Sequence, residues 1–125
     1  LEEGKDYYPQ ESYKNTLDRY LEIQNSIETL TTSQFSLQVS YIFKSYLSTL
    51  YSVDFLSSTN QEMLIKLERN FSFNNGDLVN FFLNELEPGQ FGKYQIPKDK
   101  KNQIIKTCVD VITELYNKET GVEND

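Results

Sequence analysis

Ser33 to Val53 reads SQFSLQVSYIFKSYLSTLYSV, and two periodicities compete within it. Phe35, Leu37, Val39, Tyr41 and Phe43 alternate with Ser36, Gln38, Ser40 and Ile42, as the residues of a half-buried strand would. Val39, Ile42, Phe43, Tyr46, Leu47, Leu50 and Val53 instead recur at intervals that stack side chains on one face of a helix. The helical reading wins because no turn residue interrupts the segment, which is longer than the roughly 3–10 residues of an ordinary strand. Wound as a helix, it carries a broad apolar stripe with Leu37 and Tyr41 on another side, and it is expected to be central to the fold.

On the N-terminal side, Tyr13, Leu17, Tyr20, Leu21, Ile27 and Leu30 predict a helix from Glu11 to about Leu30. Thr31, Thr32 and Ser33 then offer hydroxyls to the free N–H groups of a new helix. On the C-terminal side, Ser57, Ser58 and Thr59 break the pattern, and Thr59 with Glu62 matches a capping box opening a helix from Asn60 to about Phe71. Asn74, Asn75 and Gly76 signal a turn. A helix from Asp77 to about Leu86 follows, with Leu78, Phe81, Phe82 and Leu86 on its apolar side, and Pro88 and Gly89 are expected to end it. Pro97 suits the first turn of a last helix, whose stripe is Ile104, Ile105, Cys108, Val111, Ile112, Leu115 and Tyr116. The fold class read from this is all-α: a single-domain bundle of four to five mostly antiparallel helices over residues 11–118, with a flexible arm at 1–10 and a disordered tail at 119–125. Helices two and five are the expected centre.

A chain of 125 residues can bury a core without staples, and with Cys108 as its one cysteine it forms no internal disulfide. That favours an intracellular, cytoplasmic setting. No uninterrupted apolar run exceeds three residues, against the roughly 20 that span a bilayer, so no membrane insertion is expected. The opening residues are acidic and polar, unlike a secretory signal, and the start at Leu1 suggests part of a longer protein or assembly. A net charge of −7 argues against direct binding of nucleic acid. Lys93, Lys98, Lys100, Lys101 and Lys106, interrupted by a single acidic residue, Asp99, form the one basic stretch.

The chain has no histidine, which removes the commonest general base and every Ser-His or Cys-His arrangement; with one cysteine, it also lacks the ligands of a typical zinc site. Neither a metal nor an organic cofactor is expected. The turn at 70–77 fails the calcium-loop pattern, since a loop started at Asn70 would put Asn75 where glycine is needed and Phe81 where the bidentate glutamate belongs. Gly89-Gln90-Phe91-Gly92 has the Gly-x-x-Gly form of a nucleic-acid clamp, but the strands that accompany such a clamp are not apparent. Glu85 with Glu87, and Asp110 with Glu114, read as solvated carboxylates, and Cys108 on the last apolar stripe reads as a packed thiol.

By elimination the sequence reads as a non-catalytic domain for protein–protein interaction, with an adaptor or regulatory role and another protein as its partner. Candidate partner-binding residues are Phe91, Lys93, Tyr94, Lys98, Lys100 and Lys101, where aromatics meet the basic stretch, together with the off-stripe pair Leu37 and Tyr41. An acidic inhibitor occupying a basic nucleic-acid-binding groove of a target, and a metal-independent enzyme using carboxylates, are the alternatives.

Overall fold

Among the described residues, 9–92 and 94–121, the computed structural model has five α-helices and no strand: α1 (Pro9–Asn25), α2 (Thr32–Tyr51), α3 (Asn60–Asn70), α4 (Gly76–Gln90) and α5 (Lys98–Thr120). Reciprocal caps start two of them. The Thr31 hydroxyl accepts from the Gln34 N–H while the Gln34 side chain accepts from the Thr31 N–H, and Thr59 and Glu62 do the same for α3. Each pair satisfies two of the donors that a helix start leaves free. Thr59→Ala is expected to lower stability by about 1 kcal/mol, measured as a shift in urea midpoint at constant slope.

The ends of the chain differ from expectation by a few residues. Proline gives up nothing at a first helical position, so Pro9 and Gln10, read as part of an arm, belong to α1; residues 1–8 lie outside the described residues. α1 stops at Asn25, and 26–29 form a turn that still buries Ile27. Glu119 and Thr120, read as tail, complete α5, which Gly121 caps at φ +76°; 122–125 lie outside the described residues. The larger departure is in α4, which runs through Pro88 to Gln90 instead of ending near Leu86. Gly89 is the reason: it is buried flat against α2, where a Cβ would come within 2.6 Å of Ser36 Oγ and 2.8 Å of Thr32 Cγ2. This glycine is a contact between helices, not a terminator.

Cross-helix pairs fix the directions. Tyr13 meets Thr113 and Tyr116 while Tyr20 lies beside Cys108, so α1 and α5 are antiparallel. Phe43 meets Phe82 and Ser36 meets Gly89, so α2 and α4 are antiparallel. Lys100 meets Glu85 while Asn75 meets Glu114, so α4 and α5 are antiparallel. α1 packs against α2 and α5 but not α4, which makes a ring of α1, α2, α4 and α5, while contacts of α2 with α5 cross its centre. Phe35 with Lys101 and Tyr51 with Glu119 show that diagonal pair to be parallel. α3 packs on α4 alone.

The core holds Val39, Ile42, Phe43, Leu47, Leu64, Leu67, Phe82, Ile105, Cys108, Ile112 and Leu115, as the stripes indicate, with Leu50 partly buried at its edge. Phe35, Phe55, Met63, Phe73, Val79, Leu83 and Leu86 join them. No described helix is long and apolar enough to cross a membrane.

Candidate protein-binding groove

The valley between α2 and α4 holds a groove of about 550 Å³, and three separate pieces of chain deliver its apolar lining. α2 contributes Leu37 and Tyr41, one turn apart on the side away from Val39 and Phe43. The connection after α2 contributes Leu56. There Ser52 caps α2 in a left-handed conformation (φ +56°), and Phe55 plugs the core, with its N–H donating to Ser48 Oγ at 3.0 Å. Asp54 closes the turn by accepting from the Leu56 and Ser57 N–H groups and from Ser57 Oγ, which also holds its carboxyl below the usual carboxylate range. With Phe55 turned inward, Leu56 is turned out.

The end of α4 contributes Phe91. Gly89 seats one side of that turn on α2, and Ser33 Oγ donates to the Gln90 carbonyl at 3.0 Å. Thr32 Oγ1 donates to Gln95 Oε1 at 3.0 Å and accepts from the Ile96 N–H at 3.2 Å, while Ile96 is buried. The hydroxyls read only as caps therefore divide their work: Thr31 caps, and Thr32 and Ser33 moor the connection that follows α4. Ile96 is its inward anchor and Phe91 is left outward. Leu37, Tyr41, Leu56 and Phe91 are 53, 52, 45 and 69% exposed, so the groove gathers four of the large apolar side chains that the fold leaves in water.

Polar residues complete the lining: Ser40 and Lys44 from α2, Thr59, Asn60 and Gln61 at the start of α3, and Asn80, Asn84, Glu87 and Gln90 from α4. Lys44 Nζ donates to the Ser58 carbonyl at 3.0 Å, and burial lowers its pKa against the pull of Glu87. Arg19 lies over the Tyr41 ring at 5.6 Å, on the side of a second depression between α1 and α2.

The described lysines of the basic stretch do not join this groove. Lys98 is held by Glu28, whose carboxyl that contact lowers. Lys100 pairs with Glu85 at 3.6 Å and lies 5.8 Å from the Phe81 ring centroid. Lys101 is only 8% exposed, with its ammonium 5.5 Å above the Phe35 ring. Tyr94 is exposed beyond the end of α4, and the Lys93 side chain lies outside the described residues. Of the eight sequence candidates, Leu37, Tyr41 and Phe91 share one site; Leu56 joins them with no periodic signal to announce it.

Other chemistry is sparse among the described residues. No group of three or more Asp, Glu, Cys or His is placed to hold a metal ion. Every described Asp and Glu is exposed except the half-buried Glu85. Cys108 is buried, and burial pushes its thiol up to about 12, away from the reactive thiolate. Comparison with protein-family models, with curated proteins and with solved structures gives no match.

Proposed function

We propose that this chain is a non-catalytic protein-interaction domain, with an adaptor or regulatory role in an intracellular assembly, and that the α2–α4 groove is its binding face. The observation that carries this reading is the convergence of Leu37, Tyr41, Leu56 and Phe91, delivered by three segments onto one valley. Exposed apolar side chains scattered singly need no explanation, whereas a cluster rimmed by polar groups is the usual mark of an interaction site. The groove is built on rigid supports, since the Phe55 plug and the Gly89 seat fix its two loop-borne anchors.

The alternatives have less behind them. Acid–base work by paired carboxylates needs a shared pocket that pushes their pKa values apart, and the one described carboxylate that is not exposed is engaged with Lys100. An inhibitor of a basic groove needs an acidic face, and Glu28 and Glu85 are already drawn to lysines of their own chain.

The test is a differential pull-down from the native source, with the wild-type chain and the double variant Leu37→Glu/Phe91→Glu as baits. Both substitutions are on exposed positions, and melting temperatures should agree closely. A prey recovered by the wild type and lost by the variant is the expected result. For that prey, Phe91→Ala should raise Kd by about 10- to 30-fold, the roughly 2 kcal/mol of an interface anchor. Equal recovery by both baits would remove the groove from the function.

A further inference from the structure

Resting on the reading of this groove as a protein-binding site, we propose that its occupant is an extended peptide segment, held through its main chain by the groove's carboxamides, with apolar side chains at alternate positions and a Lys or Arg among them. Hydrogen-bond accounting separates this from an amphipathic helix. The side chains of Asn60, Gln61, Asn80 and Asn84 line the groove and bond to no other residue among those described, so water serves them in the free protein. Docking removes that water, and a carboxamide covered without a new partner costs far more than one that finds one. A helix arrives with its main-chain N–H and C=O groups already paired within itself, and can satisfy these amides only through chance side chains. An extended segment arrives with donors and acceptors unpaired at every residue, and each carboxamide can both donate and accept.

The dimensions agree. α2 advances about 10 Å from Leu37 to Lys44, the span of about three extended residues but of only two helical turns, and isolated helices so short are unstable. The 56–61 segment walls the Lys44 end of the valley, where Lys44 holds the Ser58 carbonyl, so a longer rod could extend only past the Leu37 end. In an extended segment alternate side chains face one way, so two could reach the apolar lining of Leu37, Tyr41, Leu56 and Phe91 while the intervening one points out. Charge sets the remaining feature. Glu87 lines the groove without an ion pair among the described residues, although Lys44 lies within its electrostatic reach, and a net charge of −7 draws a cationic segment to the surface.

The probe is a phage library of linear random peptides of about nine residues, long enough for either an extended run or two helical turns. It is selected on the wild-type chain and counter-selected on Phe91→Glu, and the resulting peptides are synthesised. Apolar residues at alternate positions, a Lys or Arg, no gain of helical circular dichroism on binding, and affinity roughly tenfold weaker for Asn80→Ala/Asn84→Ala at unchanged melting temperature are the expected results. Peptides that bind the groove with apolar residues at i, i+3, i+4 and i+7, become helical on binding and ignore the double asparagine variant would overturn the extended mode while leaving the groove a protein site. If no peptide distinguishes the wild type from Phe91→Glu, both readings fall.

Discussion

Replacing Phe43 with alanine is expected to lower the unfolding free energy by about 3–5 kcal/mol. Phe43 is fully buried on α2, the helix that touches α1, α4 and α5, and its ring meets Phe82 of α4 edge-on at 5.1 Å between centroids. Truncation removes the transfer free energy of the ring and leaves a cavity that three surrounding helices cannot collapse, and it also takes away an aromatic pair worth about 0.5–1.5 kcal/mol. For a domain of this size that is a large share of a total of about 5–15 kcal/mol. Phe81, immediately before Phe82 in the chain, supplies the contrast: it is exposed, and Phe81→Ala should stay within about 0.5 kcal/mol of the parent. Urea denaturation of both variants checks the pair. Equal midpoints would mean that α2 and α4 do not pack through Phe43 and Phe82.

That contrast also marks what the sequence could and could not say. α2 was legible because its stripe persists over about four turns and its cap is local, with Thr31 and Gln34 only three positions apart. In α4, Asp77, Asn80, Asn84 and Glu87 mark one polar side, but Leu78, Val79, Phe81, Phe82, Leu83 and Leu86 spread over most of the remaining circumference. Periodicity then permits several inward faces, and the positions of α2, α3 and α5 choose Val79, Phe82, Leu83 and Leu86 while leaving Leu78 and Phe81 outside. Phe55 and Phe73 are core residues contributed by connections, and single plugs carry no period at all.

The candidate site divides along the same line. Leu37 and Tyr41 stood out because they interrupt an otherwise consistent helix face, which is a local signal, and Phe91 because a solvated loop has little use for it. That these three meet depends on the antiparallel pairing of α2 and α4. The lysines were misleading for a complementary reason: Glu28, Glu85 and Phe35, which occupy Lys98, Lys100 and Lys101, lie on other elements and far away in sequence. A basic run in a chain is a basic patch in space only if the fold supplies no acids to it.

Gly89→Val is expected to cost about 3 kcal/mol, the upper end for overpacking a well-filled contact. Its Cβ alone would meet Ser36 Oγ at 2.6 Å, Thr32 Cγ2 at 2.8 Å and Ile96 Cδ1 at 3.4 Å. Ser36 Oγ can leave only by rotating about its Cα–Cβ bond, and the same rotation at Thr32, needed to move Cγ2, would break the bonds of its Oγ1 to Gln95 and to the Ile96 N–H. The damage should extend beyond the contact itself, because Thr32 also holds Gln95 and the Ile96 N–H, and displacing α4 from α2 loosens the connection that carries Tyr94. Ser36 provides an internal check. Its hydroxyl is buried with no hydrogen-bond partner in the structure, so Ser36→Ala removes a desolvated polar atom and should be neutral or stabilising by about 1 kcal/mol. Gly89→Ala is the milder probe, since about 1 kcal/mol of gained helix propensity opposes its clash. In the Ser36→Ala background the nearest obstacle is gone, and Gly89→Ala should become less costly by about 1 kcal/mol, a coupling that independent sites would not show. Chemical denaturation of the parent, both single variants and the double variant measures that coupling, with Gly89→Val as a fifth protein. Additive singles, together with a Gly89→Val midpoint equal to the parent's, would show that the end of α4 is not seated on α2, and the support this contact gives to Phe91 would go with it.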